Sequence, residues 1–200
     1  TYHGLNRFIK ESGMFIRYQY DADDIFSISN NNIASIYEDE EGIYWISTMG
    51  GGLNRLDPGT GKFTSFTIDD GLPNNVTYAT LEDHDGMFWI PTNWGLSKFN
   101  RVDSTFINYD VLDGLQGNEF NGNAHFVGED GEIFVGGMNG FNVFYPQEIK
   151  HNPRIPRIAI TAFKIFNKDV LININDGDTI RLNYNDNFFS FEFTALDFTN

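Results

Sequence analysis

Apolar and aromatic residues along this chain come in short runs, and the runs end at glycine, asparagine or pairs of acidic residues. Such runs bounded by turn residues predict strands, and no long helical period interrupts them. The runs also recur as a set. Asp39-Glu-Glu-Gly42-Ile-Tyr-Trp45-Ile-Ser-Thr48 returns as Asp83-His-Asp-Gly86-Met-Phe-Trp89-Ile-Pro-Thr92. A weaker copy follows as Glu129-Asp-Gly131-Glu-Ile-Phe134-Val-Gly-Gly137, so the three glycines stand 44 and 45 residues apart.

Three further landmarks keep the same order. Gly52-Leu-Asn-Arg-Leu56, Gly95-Leu-Ser-Lys-Phe99 and Gly140-Phe-Asn-Val-Phe144 follow each block, and Gly4-Leu-Asn-Arg-Phe8 is a copy without its front half. Short aromatic strands come next: Phe15-Ile-Arg-Tyr18, Phe63-Thr-Ser-Phe66 and Phe106-Ile-Asn-Tyr109. Asp70-Gly-Leu-Pro-Asn-Asn75 is echoed by Asp113-Gly-Leu-Gln-Gly-Asn118. Each repeat resolves into four strands, a to d. In the second full repeat these are Val76 to Glu82, Met87 to Thr92, Gly95 to Asn100 and Thr105 to Asp110. Four short strands at this period predict the blades of a β-propeller. Glycine after acidic residues, as at Gly42, supplies the positive φ of a hairpin while the carboxylates stay solvated.

The ends carry information too. The chain opens with strands c and d of one blade, and two complete blades run from about Asn32 to Asp110. The last blade has a (Gly122 to Val127), b (Glu132 to Gly137) and c (Gly140 to Tyr145), with no aromatic strand d after Tyr145-Pro146. About three blades leave open edges, which predicts self-association as a homodimer or by strand swapping. The expected fold class is therefore all-β: a partial propeller over residues 1–150, then a linker and an incomplete Ig-like sandwich over 151–200. Lys150-His-Asn-Pro153-Arg-Ile-Pro156 reads as the extended linker. Beyond it, Ile158 to Phe166 reads as a strand turning at Asn167-Lys168, and Asn175 to Asp178 as a turn before Thr179 to Leu182. Phe189-Ser-Phe-Glu-Phe193 alternates as a strand that buries one aromatic face.

These residues resemble the two-component regulator propeller repeat: Gly-Leu-Pro-x-Asn, an acidic-glycine turn, Trp-Ile-Gly-Thr, then Gly-Leu-x-x-Phe-Asp. Ile33-Ala-Ser-Ile-Tyr-Glu-Asp39 and Asp70 to Asn75 carry the likeness, while Ser47, Pro91 and Phe134-Val depart from it. The tail, with Ile160-Thr-Ala-Phe-Lys-Ile-Phe-Asn167 and Phe191-Glu-Phe-Thr-Ala-Leu-Asp-Phe198, resembles the start of the "Y_Y_Y" Ig-like domain that follows such propellers. The resemblance implies the periplasmic sensor region of a hybrid histidine kinase, often in Bacteroidetes that respond to oligosaccharides. It implies signalling to a cytoplasmic kinase that lies outside these residues.

Composition narrows the chemistry. With 20 Phe, 9 Tyr and 3 Trp the aromatic weighting favours sheet. A net charge of −15 argues against a nucleic-acid partner and against docking on an anionic membrane. The absence of cysteine removes disulfides, thiol catalysis and thiolate metal sites. No apolar run is long enough to span a bilayer, and no signal peptide is visible, although the chain opens in mid-pattern. His3, His84, His125 and His151 show no ligand spacing, and Asp83-His-Asp85-Gly86 lacks the later ligands of a calcium loop, so neither metal nor cofactor is expected. No Gly-x-Ser-x-Gly elbow occurs. The sequon Asn75-Val-Thr77 is idle in a bacterial protein.

Strand alternation places the d–a and b–c connections on one face. That face carries Asn74, Asn75, Asn93, Trp94, Asn121, Asn123, His125 and Asn139, the residues expected to meet a ligand. Trp94 stands in a loop, away from the strand position that Trp45 and Trp89 share as blade core. An exposed tryptophan among amides suits an oligosaccharide, stacked on the indole and hydrogen-bonded at its hydroxyls. Asn118 to Asn123 reads as a d–a loop two residues longer than its counterpart. Two rival readings stay open: a propeller enzyme such as a lyase, built around His125, and a dimerisation scaffold without a ligand.

Overall fold

The computed structural model describes residues 1–149, 157–166, 168–170 and 180–196. The chain divides into two units, 1–149 and 150–200. In the first unit, β1 (Leu5–Ile9) and β2 (Met14–Tyr18) form an antiparallel ribbon. Next, β3 (Ile33–Glu38), β4 (Tyr44–Thr48), β5 (Leu53–Asp57) and β6 (Lys62–Phe66) make a four-stranded antiparallel meander. A second meander comprises β7 (Leu81–Glu82), β8 (Phe88–Thr92), β9 (Gly95–Asn100) and β10 (Thr105–Tyr109). The third sheet has three strands, β11 (Phe120–Val127), β12 (Ile133–Gly137) and β13 (Gly140–Phe144). This is a partial β-propeller with two full blades and two incomplete ones, as the repeat predicts.

The core is the set of seams between blades. Ile28, Ile46, Leu56 and Phe63 close the first seam. Trp45, Leu72, Phe88 and Phe99 are among those closing the second, and Tyr78, Trp89, Phe120 and Val135 the third. Each strand tryptophan leans on the next blade: Trp45 meets the Phe88 ring edge-on at 4.9 Å, and Trp89 lies 4.8 Å from the Phe144 ring. Such pairs contribute about 0.5–1.5 kcal/mol each beyond the area they bury. The leucine of each Gly-Leu turn is driven into a seam as well, Leu72 into the second and Leu115 into the third.

Three local expectations are corrected. Asp39 and Asp83 are not solvated turn residues; they are 6% and 9% exposed. Strand a of the second full blade is interrupted, with β7 reduced to Leu81–Glu82 and Thr77 joined to Thr92 by a lone bridge. The strand expected from Gly122 begins two residues earlier, so that Phe120 and Asn121 are not loop but the start of β11. Its register jumps between Phe120 and His125, where five steps on β11 face two on β12 (Gly137 to Val135). The extra residues form a wide bulge containing Asn123 at φ 61°. Phe120 lies fully buried in the third seam, which fixes the strand before the bulge begins.

In the second unit, β14 (Arg157–Ile165) pairs with both β15 (Lys168–Val170) and β16 (Phe189–Leu196). Phe163 is buried against Phe189 and Phe191, with ring centroids 6.0 and 4.9 Å away. The face of β16 expected to be buried is half open, since Phe189, Phe191 and Phe193 remain exposed. A three-stranded sheet has no second layer of its own to cover them among the described residues. The expected turn at Asn175 to Asp178 and the linker at Lys150 to Pro156 lie outside the described residues. Ile180 to Leu182, which follow that turn, carry no strand pairing.

Candidate functional site

The loop face is built on a backbone framework that uses much of its own amide chemistry. Thr67 and Asp70 form a reciprocal cap on the turn Ile68–Asp70, and Asp110 and Asp113 do the same for Val111–Asp113. Asn75 Oδ1 accepts from Ile68 N at 2.9 Å, and Asn118 Oδ1 accepts from Val111 N at 3.1 Å. Asn31 repeats the bond one blade earlier, accepting from Tyr20 N at 2.8 Å. Asn74 Oδ1 accepts from Val76 N at 2.8 Å. The side-chain oxygens of Asn74 and Asn75 therefore hold the d–a crossover in place, and the bond made by Asn75 is the reason an asparagine recurs at Asn118.

Asn93 and Trp94 differ from this pair. Tyr78 donates its hydroxyl to Asn93 Oδ1 at 3.0 Å, and Trp94 N donates to Thr92 Oγ1 at 3.0 Å. The loop is thereby held while the indole remains 60% exposed. Gly122 of the β11 bulge stands against the same Tyr78 ring, and its neighbours Asn121 and Asn123 are both exposed. Asn139 lies by Gln116, its backbone N–H donating to Gln116 Oε1 at 2.8 Å. Burial, with Glu119 nearby, raises the Tyr78 phenol above its ordinary value, so it stays a neutral donor. Sequence reasoning missed Tyr78 and Gln116, because neither repeats with the blade period.

His125 sits elsewhere. It lines a cavity of about 340 Å³ on the inner wall made by the first strands of three blades, with Ser35, Ile36, Thr80, Leu81 and Glu82 among its neighbours there. The bulge sets the register that brings His125 opposite Val135. Burial pushes its imidazole below the ordinary value, and its Nδ1 is buried without a hydrogen-bond partner. Glu82 is fully engaged: Tyr37 donates its hydroxyl to Oε2, and Arg101 Nη2 reaches Oε1 at 3.1 Å. Arg101 Nη1 reaches Asp39 Oδ2 at 3.3 Å, so one guanidinium clamps two carboxylates from neighbouring blades. Desolvation, then the bond to Glu82, drives the Tyr37 phenol far above its usual range. The eight residues expected on one ligand face thus separate into the Trp94 patch, backbone-capping amides and the inner cavity.

No group of three or more His, Cys, Asp or Glu residues capable of holding a metal ion occurs among the described residues. No described helix is long and apolar enough to cross a membrane.

Comparison with known proteins fits this geometry. Residues 27–50 match the family model of the two-component regulator propeller. Histidine kinase P4 of Formosa agariphila is 30% identical over 98% of this chain, which spans 18% of that protein. The extracellular domain assigned to the hybrid two component system BT3049 of B. thetaiotaomicron superposes with a TM-score of 0.65 at 26% identity. That match covers 92% of this chain and 25% of the other. The extracellular domain of BT4673 from the same organism, assigned to a one component system, shares the fold. Its TM-score is 0.53 at 19% identity, over 96% of this chain and 25% of that one. The chain is a partial β-propeller that resembles, over nearly all its length, the extracellular part of two-component systems rather than their kinase.

Proposed function

We propose that this chain is part of the periplasmic sensor region of a membrane-anchored hybrid two-component regulator, and that it binds an oligosaccharide on the loop face around Trp94. The propeller would pass a change in blade arrangement or dimer geometry through the following Ig-like domain to a cytoplasmic kinase. The observation that carries the ligand class is the indole of Trp94. It is well exposed on a loop that Thr92 and Tyr78 hold rigid, and the amides of Asn93, Asn121 and Asn123 stand at the same seam. A rigid aromatic surface flanked by amides is what a sugar ring needs for stacking and hydroxyl recognition.

The enzymatic alternative needs a free acid–base pair beside His125. Glu82, the carboxylate of that cavity, is taken by Tyr37 and Arg101, and this favours the binding reading. Calorimetric titration of defined oligosaccharides tests the proposal. Saturable heat that Trp94→Ala removes supports it, and silence across all polysaccharide classes defeats the glycan assignment.

A further inference from the structure

The inner wall carries chemistry that the Trp94 face does not use. Among the described residues, three buried side-chain nitrogen or oxygen atoms lack a hydrogen-bond partner, and two of them, Ser35 Oγ and His125 Nδ1, belong to residues of the 340 Å³ cavity. A buried polar atom left unpaired costs about 1–3 kcal/mol, and folded proteins rarely keep such atoms without a partner from outside the chain. Two in one cavity point to the same outside partner.

The bulge in β11 strengthens the case. At the inner-wall position of His125 the other blades place Ile36 and Thr80; ahead of Ile36 the register slips by one residue, between Ile33 and Ser35, whereas ahead of His125 it slips by three. Bulges that re-aim a side chain concentrate at functional sites. The charges define what fits. Glu82 is compensated by Arg101 and Tyr37, so a cation finds no free carboxylate among the residues lining the cavity. An anion would meet a chain of net charge −15 and an imidazole that burial holds neutral. What remains is a hydroxyl and a ring nitrogen among the apolar side chains of Ile36, Ala79, Leu81 and Val127.

We infer that this cavity is a second binding site, separate from the Trp94 face, for an uncharged hydroxyl-bearing molecule such as a single sugar ring or polyol, contacted by His125 Nδ1 and Ser35 Oγ. The hydroxyls of such a ligand both donate and accept, and so satisfy either tautomer of the imidazole. Its carbon skeleton packs on the apolar wall.

The test follows the imidazole nitrogen resonances of His125 in the ¹⁵N-labelled chain, assigned by their loss in His125→Gln. The probes are glucose, galactose, xylose and myo-inositol, with glucuronate as the charged counterpart. The expected result is a saturable shift with at least one neutral probe, weakened about five- to tenfold by Ser35→Ala through loss of one hydrogen bond, and absent or much weaker with glucuronate. Trp94→Ala should leave the shift intact, which keeps this site distinguishable from the loop-face reading. Signals that stay unmoved with every neutral probe would leave the cavity to water and overturn the inference. Equal binding of glucuronate and glucose would overturn the ligand class. If His125→Gln does not fold, the Ser35→Ala comparison alone decides.

Discussion

The indole Nε1 of Trp89 donates to Asp83 Oδ2 at 2.8 Å, and one blade earlier Trp45 donates to Asp39 Oδ2 at the same distance. Each carboxylate also accepts two turn amides on its other oxygen, Glu41 N and Ile43 N on Asp39, Asp85 N and Met87 N on Asp83. One buried carboxylate thus closes the a–b hairpin and anchors the tryptophan that packs on the next blade. The third blade loses both members together. Gly128, whose N–H bonds to Glu132 O as Asp83 N–H does to Met87 O, replaces the aspartate, and Phe134 replaces the tryptophan. Without an indole N–H the buried carboxylate has lost its strongest reason to be there.

That pairing predicts non-additive energetics. Asp83→Ala orphans three donors and should cost about 2–4 kcal/mol in urea unfolding. The double variant Asp83→Gly/Trp89→Phe, which imitates the third blade, should cost less than the sum of its single changes by about 1 kcal/mol or more. Additivity would refute the coupling.

Two glycines of similar φ separate strain from crowding. Gly95 (φ 94°) and Gly114 (φ 99°) are both left-handed, but a Cβ at Gly95 would overlap the Tyr109 carbonyl oxygen while one at Gly114 meets open space. Gly114→Ala should cost about 1 kcal/mol through backbone strain, and Gly95→Ala clearly more, because the c–d pairing must also shift. Thermal unfolding of the two variants makes the comparison.

Arg101 joins two blades, so its removal should be felt beyond its own turn. Arg101→Met leaves Asp39 and Glu82 facing each other without a cation and should destabilise the chain by about 2 kcal/mol. With a quarter of the arginine side chain exposed, added salt should reduce but not erase the difference. Equal stability of the variant and the parent would show that the clamp is only a surface pair.

Burial of His125 makes stability depend on pH in a defined direction. Its folded pKa lies below the ordinary value, so above about pH 6.5 the ring is neutral in both states and contributes no slope. As pH falls below 6.5 the unfolded chain takes up the proton first, and stability is lost until the folded pKa is reached. The difference in midpoint between the parent and His125→Gln should therefore be flat above pH 7 and shift against the parent below it. A difference independent of pH would place His125 in solvent.

Trp94 and Asn75 share a face but not a role. Trp94→Ala should change stability by less than about 0.5 kcal/mol while abolishing loop-face ligand heat in calorimetry. Asn75→Ala removes the bond to Ile68 N and should cost about 1 kcal/mol, with binding altered only through stability. The reverse pattern would exchange their assignments.

The strands were legible because their signals are local. Alternation, the glycine at each hairpin and the Gly-Leu turn act within a few residues, so β8, β9 and β10 begin and end within a residue or two of where the pattern puts them. The start of β11 is hidden because the polar run from Asn118 to Asn123 looks like any exposed turn; only the fully buried Phe120 shows that the strand has already begun. The candidate face was legible in part. Trp94 stands out because it breaks the repeat, whereas Asn75 repeats as Asn118 for a structural reason, and repetition alone does not tell capping from recognition.

The sequence by itself determined the period, the four-strand blade and the exposed Trp94, since each depends on side-chain order within one repeat. Only the tertiary structure decided that Asp39 and Asp83 are buried under tryptophans, that Arg101 bridges two blades, and that Ser35, Thr80 and His125 share one cavity. Those outcomes depend on residues from successive blades meeting at a seam or around a common wall. Contacts at that separation arise from the packing of whole sheets, which no local pattern encodes.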